Sequence, residues 1–390
     1  MVFCVLLVAL SLHLEAQINF SGLLDSTVSL NAGAGDAKAF SFGIEEYANI
    51  RMQARLRERG RFEGAVNFIA AAGDYTLAAR QLAEIPGMAQ TSFIGGDNFI
   101  AGIELERLHF RLNFEETDFD GGLMRLPFGY GQVWGSSDFI NPPNPLKPDA
   151  RPRAVLAAAL TWYPLDELKF IGFAAAPRDP FSQGEGMLTG LSMDKHWEGS
   201  RLAASLQTLY SFETPQDGSN RGIIHRAGLS LKADVEVGLV IDALYTYNHQ
   251  AGTGHEGLSL SAGFDYSFFD GDLVVLTEYL YNGSASSTAA GYGGSFSNEH
   301  YLYTGFTWRF NDFTNAGLAL IWGLTDVSFT PIISLNHDIF QGATLMFTGH
   351  IPLDRDVFTG SGRRGELGPL PPGFDIGSYF YCTIKLRLRF

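Results

Sequence analysis

Apolar and polar side chains alternate strictly along residues 379–390, which read YFYCTIKLRLRF. The apolar face of this stretch consists of Phe380, Cys382, Ile384, Leu386, Leu388 and Phe390. The opposite face carries Tyr379, Tyr381, Thr383, Lys385, Arg387 and Arg389. Successive side chains of a β-strand point to opposite sides, so a period of two residues predicts a long strand. A soluble β-sandwich shows the same alternation, usually over shorter stretches.

The same period recurs along the chain between two kinds of connection; Leu108 and Phe110, for example, alternate with Arg107 and His109. Short polar turns are predicted near residues 57–61, 115–118, 164–167, 195–198, 233–236, 269–272, 310–313 and 337–341. Longer segments rich in Gly, Ser, Asn or Pro are predicted at 31–44, 72–100, 129–151, 178–185, 211–221, 247–256, 282–300 and 351–376, with a tight one near 325–327. Together they predict eighteen strands, or sixteen if the weak hairpin of 187–194 with 200–210 is absent.

Composition and charge exclude several classes of protein. Of the 390 residues, 46% are hydrophobic and 18% are charged, which is too apolar for a disordered chain. The net charge of −15 argues against a nucleic-acid-binding protein, because a polyanion requires a basic surface. Beyond the first dozen residues, no apolar run reaches the roughly 20 residues that a membrane-spanning helix needs. A helical membrane protein is therefore excluded.

The apolar stretch at residues 2–12 (VFCVLLVALSL) is too short to span a bilayer and lies where a secretory signal is found. We expect residues 1–17 to form a signal peptide that is removed; the alternative is a buried first strand or helix. After removal Cys382 is the remaining cysteine, so no intramolecular disulfide is expected. Residues 18–390 are expected to form one domain, with no plug ahead of its first strand.

These features together resemble bacterial outer-membrane β-barrel proteins of the porin type, whose last strand commonly ends in Phe. The resemblance rests on Phe390, with Leu388, Leu386 and Tyr381 as supporting positions. It implies an all-β fold, a transmembrane antiparallel up-and-down barrel in the outer membrane of a diderm bacterium. It also implies that the terminal aromatic residue is part of the signal read by the barrel-assembly machinery. Since lipid cannot satisfy free backbone groups, the strands must close, and their polar faces must then point inward.

The predicted inward face carries many cations, which we expect to line one wall of the lumen. They are Arg51, Arg55, Arg107, Arg111, Arg125, Arg309, Lys385, Arg387 and Arg389. Acidic residues are expected mainly in turns and loops, with Asp242, Asp265 and Glu278 as opposing acidic groups inside the barrel. A basic wall facing an acidic one would produce a transverse field that orients solutes. The alternative is that the inward arginines are neutralised by nearby carboxylates and water, without strong selectivity.

The most unusual connection is the Pro-rich loop at 129–151, within the stretch RLPFGYGQVWGSSDFINPPNPLKPDARPR. Its prolines stiffen the backbone by fixing φ. Such a loop is a candidate for folding into the channel as a constriction, as porin loops often do; the alternative is an external loop that contacts neighbours. The residues that would contribute are Trp134, Asp138, Phe139, Lys147, Asp149, Arg151 and Arg153.

The resemblance implies a channel for passive diffusion of small hydrophilic solutes, and the predicted basic wall would favour anionic ones. Its expected partners are outer-membrane lipid, the barrel-assembly machinery and the solutes, and many porins form homotrimers. Two alternatives remain: a surface-exposed adhesin or receptor with long extracellular loops, and a transporter of apolar compounds. The charged lumen counts against the second.

The sequence predicts no enzyme, catalytic residue, cofactor or metal site. It contains no G-x-S-x-G nucleophile elbow and no phosphate-binding P-loop. His249, His255 and Glu256 share one loop, but they include no rigid pair at the spacing of metal ligands.

Overall fold

A computed structural model describes residues 17–33, 40–56, 59–73, 91–96, 99–141, 143, 145, 154–177, 186–199, 202–214, 222–248, 257–283, 298–325, 327–351 and 379–390. Residues 1–16 of the predicted signal peptide lie outside these ranges, as do the loop with His249, His255 and Glu256, and the candidate loop residues Lys147, Asp149, Arg151 and Arg153. Across the described ranges, no helix is long and apolar enough to cross a membrane.

The described residues form nineteen β-strands in one sheet. They are β1 (Gln17–Gly33), β2 (Phe40–Leu56), β3 (Gly60–Ala72), β4 (Thr91–Gly96), β5 (Phe99–Asn113), β6 (Thr117–Met124), β7 (Val155–Leu165), β8 (Leu168–Ala175), β9 (Met187–Glu198), β10 (Ala203–Thr214), β11 (Ile224–Asp234), β12 (Gly238–Asn248), β13 (Gly257–Phe268), β14 (Leu273–Asn282), β15 (His300–Asn311), β16 (Thr314–Gly323), β17 (Ser328–Phe340), β18 (Ala343–His350) and β19 (Tyr379–Arg389). A 3-10 turn, Phe269–Gly271, joins β13 to β14.

The sheet closes into a cylinder because β1 pairs antiparallel with both β2 and β19. The backbone N–H of Gly22 donates to the carbonyl of Phe390 at 2.8 Å, and the N–H of Phe390 donates back at 3.1 Å. Eighteen strands form the wall. The remaining strand, β4, pairs with residues 99–104 of β5, while β6 pairs with residues 108–113 of the same strand. The prediction of an eighteen-stranded barrel is therefore confirmed, and β4 is an addition inside the predicted connection 72–100.

The hairpin that the sequence left in doubt is present as β9 and β10. Two predicted turns come later than expected, since β9 runs to Glu198 and β17 runs to Phe340. The reason is that the alternation continues through both sites. Trp197 and Ile339, for example, extend the exposed apolar face of their strands almost to the turn.

The outer surface of the cylinder is apolar, as the alternation predicts. Exposed side chains along the strands include Phe20, Phe68, Leu160, Leu191, Leu239, Ile333 and Ile384. Trp162, Trp308, Tyr210 and Tyr245, which lie towards the ends of their strands, are also exposed, as expected for the aromatic girdles of a membrane barrel. A surface this apolar is unfavourable in water and favourable in lipid. One closed sheet with its apolar side outward is incompatible with a two-layer soluble sandwich.

Candidate functional site: the barrel interior

A β-bulge in β5 turns two successive side chains toward the interior of the barrel. Ala65 of β3 pairs with Arg107 and Val66 pairs with Leu105, so Glu106 is the extra residue. Arg107 Nη1 donates to Oε1 of Glu63 at 3.0 Å. Glu106 Oε2 accepts a hydrogen bond of 2.6 Å from Asn49 Nδ2 on β2. A bulge breaks the two-residue alternation locally, so both a cation and a carboxylate are inside at this point.

Four of the predicted cations form one network on the inner face of β2, β5 and the end of β6. Arg51 and Arg107 approach Glu63 at 3.6 and 3.0 Å. Arg125 Nη2 lies 3.6 Å from Glu106, and Arg51 lies 4.0 Å from the same carboxylate. Arg111 Nε donates to Asp120 Oδ1 at 2.8 Å, and His109 Nε2 lies 3.2 Å from the same oxygen. We call these seven charged residues and His109 the ladder; its members are Arg51, Arg107, Arg111, Arg125, His109, Glu63, Glu106 and Asp120.

The carboxylates of the ladder lie in strands, contrary to the expectation that acidic residues would lie mainly in turns and loops. Glu63, Glu106 and Asp120 are all buried in the wall. Their negative charges offset those of the neighbouring guanidinium groups, which would otherwise repel one another. Strand parity alone could have identified Glu63, because it lies two residues from Ala65 on the inward face. Glu106 could not be found in this way, since its orientation depends on the bulge.

The remaining predicted cations are distributed over two other places. Arg387 makes two hydrogen bonds to Asp25 across the β1–β19 seam, Nε to Oδ1 at 2.8 Å and Nη2 to Oδ2 at 2.7 Å. Lys385 Nζ lies 4.0 Å from the same carboxylate. Arg55 and Arg389 are exposed near the same end of the barrel. Arg309, on β15, pairs with Asp272 at 2.9 Å beside a short turn, and it belongs neither to the ladder nor to the group at the β1–β19 seam.

Residues 125–141, which we call the internal segment, lie inside the barrel. The backbone N–H of Gly129 donates to Gln207 Oε1 on β10 at 2.5 Å, and that of Tyr130 donates to Ser230 Oγ on β11 at 2.9 Å. The N–H of Ser137 donates to Asp242 Oδ2 on β12 at 3.0 Å. These strands are not neighbours of β6 or β7 in the sheet, and the three acceptor side chains are buried. The chain reaches them by crossing the interior.

Two apolar clusters attach the internal segment to the wall. Trp134 is fully buried and packs on Tyr301, with ring centroids 5.4 Å apart, among Leu280, Ile321 and Ile332. The second cluster joins Phe128 and Phe139 of the segment to Val155, Phe173, Leu209 and Leu244 of the wall. The predicted loop residues Trp134 and Phe139 are therefore packed against strands rather than exposed to the open lumen. Asp138 accepts a hydrogen bond from the N–H of Asn141 within the segment.

The sequence FGYGQVWG allows the segment to approach the wall this closely. Gly129 has φ +81°, and a Cβ atom added there would lie 2.5 Å from Asp242 Oδ2. A Cβ on Gly131 would lie 2.5 Å from the backbone nitrogen of Gly135, whose φ is +42°. Glycine is required at such positions, because other residues disfavour positive φ and have no room for a side chain.

The opposing acidic groups have two different environments. Asp242 and Glu278 point inward, and both are fully buried beneath the internal segment. Asp265 remains partly exposed and accepts a hydrogen bond of 3.1 Å from Gln132 Nε2.

Tyr130 Oη donates to Asp194 Oδ1 at 2.7 Å, and Lys169 Nζ lies 3.0 Å from Oδ2 of the same carboxylate. Burial and the hydrogen bond to Asp194 raise the pKa of Tyr130, so its phenol stays protonated.

Among the described residues, no group of three or more His, Cys, Asp or Glu side chains is arranged to hold a metal ion. No family model matches the sequence, and no curated protein matches it. Solved structures do match. The fold is a closed antiparallel β-barrel with an apolar outer surface, and it matches the folds of several outer-membrane proteins.

One is the outer membrane protein opdK from Pseudomonas aeruginosa, with a TM-score of 0.57 and 9% identity, covering 97% of this chain and 99% of that one. A BenF-like porin from Pseudomonas fluorescens Pf-5 has a TM-score of 0.57 and 10% identity, covering 96% and 98% of the two chains. OccAB1 from Acinetobacter baumannii has a TM-score of 0.56 and 12% identity, covering 96% of each. At these identities the similarity shows a shared fold.

Proposed function

We propose that this protein is a non-enzymatic outer-membrane channel through which small hydrophilic solutes diffuse passively. The observation that carries this proposal is the closed eighteen-stranded cylinder, with apolar side chains outside and the charged ladder inside. A barrel of sixteen to eighteen strands is wide enough to leave an aqueous channel. The internal segment packs on the inner face of several strands from β7 to β17, and we infer that the passage runs beside the ladder.

We further propose a preference for anionic solutes. The ion-paired groups of the ladder and seam include six cations, Arg51, Arg107, Arg111, Arg125, Lys385 and Arg387. Four carboxylates face them, Glu63, Glu106, Asp120 and Asp25. These ion-paired groups therefore carry two more positive than negative charges, in a chain whose net charge is −15. A local excess of one sign raises the concentration of counter-ions in a narrow passage.

In the transverse electric field that the sequence suggests, Asp265 would be the main negative group opposite the basic wall. When β4 is left out, β3 is the third strand of the wall and β13 is the twelfth, so nine of eighteen steps separate them. Asp265 on β13 thus faces the ladder from the opposite side of the cylinder. Asp242 and Glu278 would contribute less, because the internal segment covers them.

The membrane and assembly partners belong to the same proposal. The apolar outer surface would contact outer-membrane lipid, and the strand that ends at Phe390 would be recognised by the barrel-assembly machinery. A homotrimer is also consistent with this proposal, and chemical cross-linking of the purified protein would test it.

Planar-bilayer recording tests the channel. The folded barrel should raise conductance, and its reversal potential under a salt gradient should indicate anion preference. Arg111→Gln should reduce that preference, whereas Lys195→Gln, in an exposed ion pair with Glu167, should not. A folded barrel that never raises conductance would exclude an open channel. Cation preference of the wild-type protein, or an anion preference that Arg111→Gln leaves unchanged, would exclude the proposed selectivity.

A further inference from the structure

We propose that Glu278 and Asp242 are positioning residues that hold the internal segment against the wall and thereby set the bore of the channel. The attachment of the segment to the wall is inferred from contacts alone. Its effect on the width of the channel rests on the proposed channel function.

Glu278 accepts hydrogen bonds from three successive backbone N–H groups at the far end of the segment. Those of Gln132 and Val133 donate to Oε2 at 3.2 and 3.1 Å, and that of Trp134 donates to Oε1 at 2.9 Å. The indole Nε1 of Trp134 also donates to the backbone carbonyl of Glu278 at 3.2 Å. One wall residue therefore binds the tip of the segment by four hydrogen bonds.

Asp242 holds the segment where it turns back. Ser137 donates to it twice, from the backbone N–H to Oδ2 at 3.0 Å and from Oγ to Oδ1 at 2.5 Å. Gly129, on the outgoing limb, lies against the same carboxylate, so close that a Cβ atom would collide with it. Asp242 thus touches both limbs of the segment, and Glu278 touches the tip between them.

The chemistry of these contacts explains why carboxylates occupy both positions. A segment folded into the interior forms no strand ladder, so its N–H groups require other acceptors. A carboxylate offers two oxygens and no donor, and its hydrogen bonds are roughly twice as strong as those between neutral groups. An amide at the same place would direct an NH₂ group at the segment's own N–H groups. Both carboxylates are fully buried, so hydrogen-bond donors must compensate their charge: N–H groups of the segment at Glu278, and both the N–H and the hydroxyl of Ser137 at Asp242.

The bore follows from this attachment. The segment runs along the wall opposite the ladder, and its thickness occupies part of the lumen. If the tip is released, residues 129–137 can move away from β12 and β14 into the passage. We therefore expect a released segment to make the conductance fluctuate between levels.

Amide hydrogen exchange of the full-length protein in lipid or detergent tests the holding directly. In Glu278→Gln, exchange at Gln132, Val133 and Trp134 should be about tenfold faster or more, because hydrogen bonds to a charged acceptor are lost. Asp242→Asn should have the same effect at Ser137. Asp338→Asn is the matched control, since Asp338 binds Thr344 and lies outside the segment's contacts. Peptides from β14 and β15 should stay protected in every variant.

Two outcomes would overturn the proposed attachment. One is an unchanged exchange rate at the tip of the segment in folded Glu278→Gln; the other is an equal increase of that rate in Asp338→Asn. Glu278→Ala is the stronger variant; if it does not fold, as judged by heat-modifiable migration on gels, Glu278→Gln decides. Single-channel recording of the same proteins tests the bore. Faster exchange without added conductance fluctuation would overturn the effect on channel width but not the attachment of the segment. A wild-type protein without conductance would overturn the proposed function, while the exchange experiment would still test the attachment.

Discussion

Arg107 Nη1 lies 3.0 Å from Glu63 Oε1, on the neighbouring strand of the barrel wall. Glu63 is shared with two other groups, Arg51 at 3.6 Å and His109 at 3.9 Å. One buried carboxylate thus reduces the positive charge of several ladder residues at once. The selectivity of the channel should therefore be especially sensitive to Glu63.

Glu63→Gln should raise the anion-to-cation permeability ratio. A unit charge about 7 Å from a permeating ion in water changes its energy by about 0.6 kcal/mol, with opposite signs for anions and cations, which together correspond to about a sevenfold change in the ratio. Reversal potentials under a potassium chloride gradient measure this effect. Glu167→Gln is the matched control: it lies in an exposed turn, where the hydrogen bond from Lys195 lowers its pKa and keeps it ionised. An equal shift in both variants would contradict a special role for Glu63.

Gly129→Ala should displace the internal segment. The new methyl group would meet Asp242 Oδ2 at 2.5 Å, and alanine would be forced to adopt φ +81°. Such strain costs on the order of 1–3 kcal/mol. We expect faster hydrogen exchange in the segment and altered conductance, while the barrel stays folded. Gly172→Ala provides the control, since a Cβ atom at Gly172 would have no neighbour within 4 Å.

Asp25→Asn should weaken closure of the barrel. It removes the charge that binds Arg387 through two hydrogen bonds across the β1–β19 seam. Loss of such charge-assisted bonds costs about 2 kcal/mol. Urea unfolding in lipid vesicles would show a lower midpoint for Asp25→Asn. Asp118→Asn, which loses a single hydrogen bond from Tyr163, should shift the midpoint much less.

Phe390→Ser should reduce the amount of folded barrel in the outer membrane. Phe390 continues the seam by exchanging two backbone hydrogen bonds with Gly22, and its exposed ring covers that glycine. Quantification of heat-modifiable protein in membrane fractions measures the effect. Phe313→Ser, which changes another highly exposed phenylalanine in a short turn, should have little effect. Equal loss in both variants would indicate general destabilisation rather than a role in assembly.

Period-two alternation correctly predicted the strands, because it is a local property of extended chains. On β12, for example, Leu239 and Ile241 could be assigned to one face and Asp242 to the other without knowing which strands lie beside it. The short strand β4 was missed for the complementary reason. It lies in a Gly-rich stretch without a clear alternation. It forms a strand because β6 pairs only with residues 108–113 of β5, which leaves the backbone groups of residues 99–104 to pair with β4.

The chemistry of the interior depends on register. Arg51, Arg107 and Arg111 could be assigned to the inward face from the sequence, but their partners could not. Glu106 joins them because a bulge shifts β5 by one residue relative to β3. Asp242 and Glu278 were expected to border the pore, and instead they bind a segment more than one hundred residues away in sequence.

The sequence by itself determined that the chain forms alternating strands and which side of each faces lipid. These properties follow from the two-residue period and from the need to pair every backbone group in a membrane. The tertiary structure decided which charges meet in the lumen and where the internal segment lies. Those outcomes depend on strand register and on contacts between residues that are distant in sequence, and no local pattern encodes either.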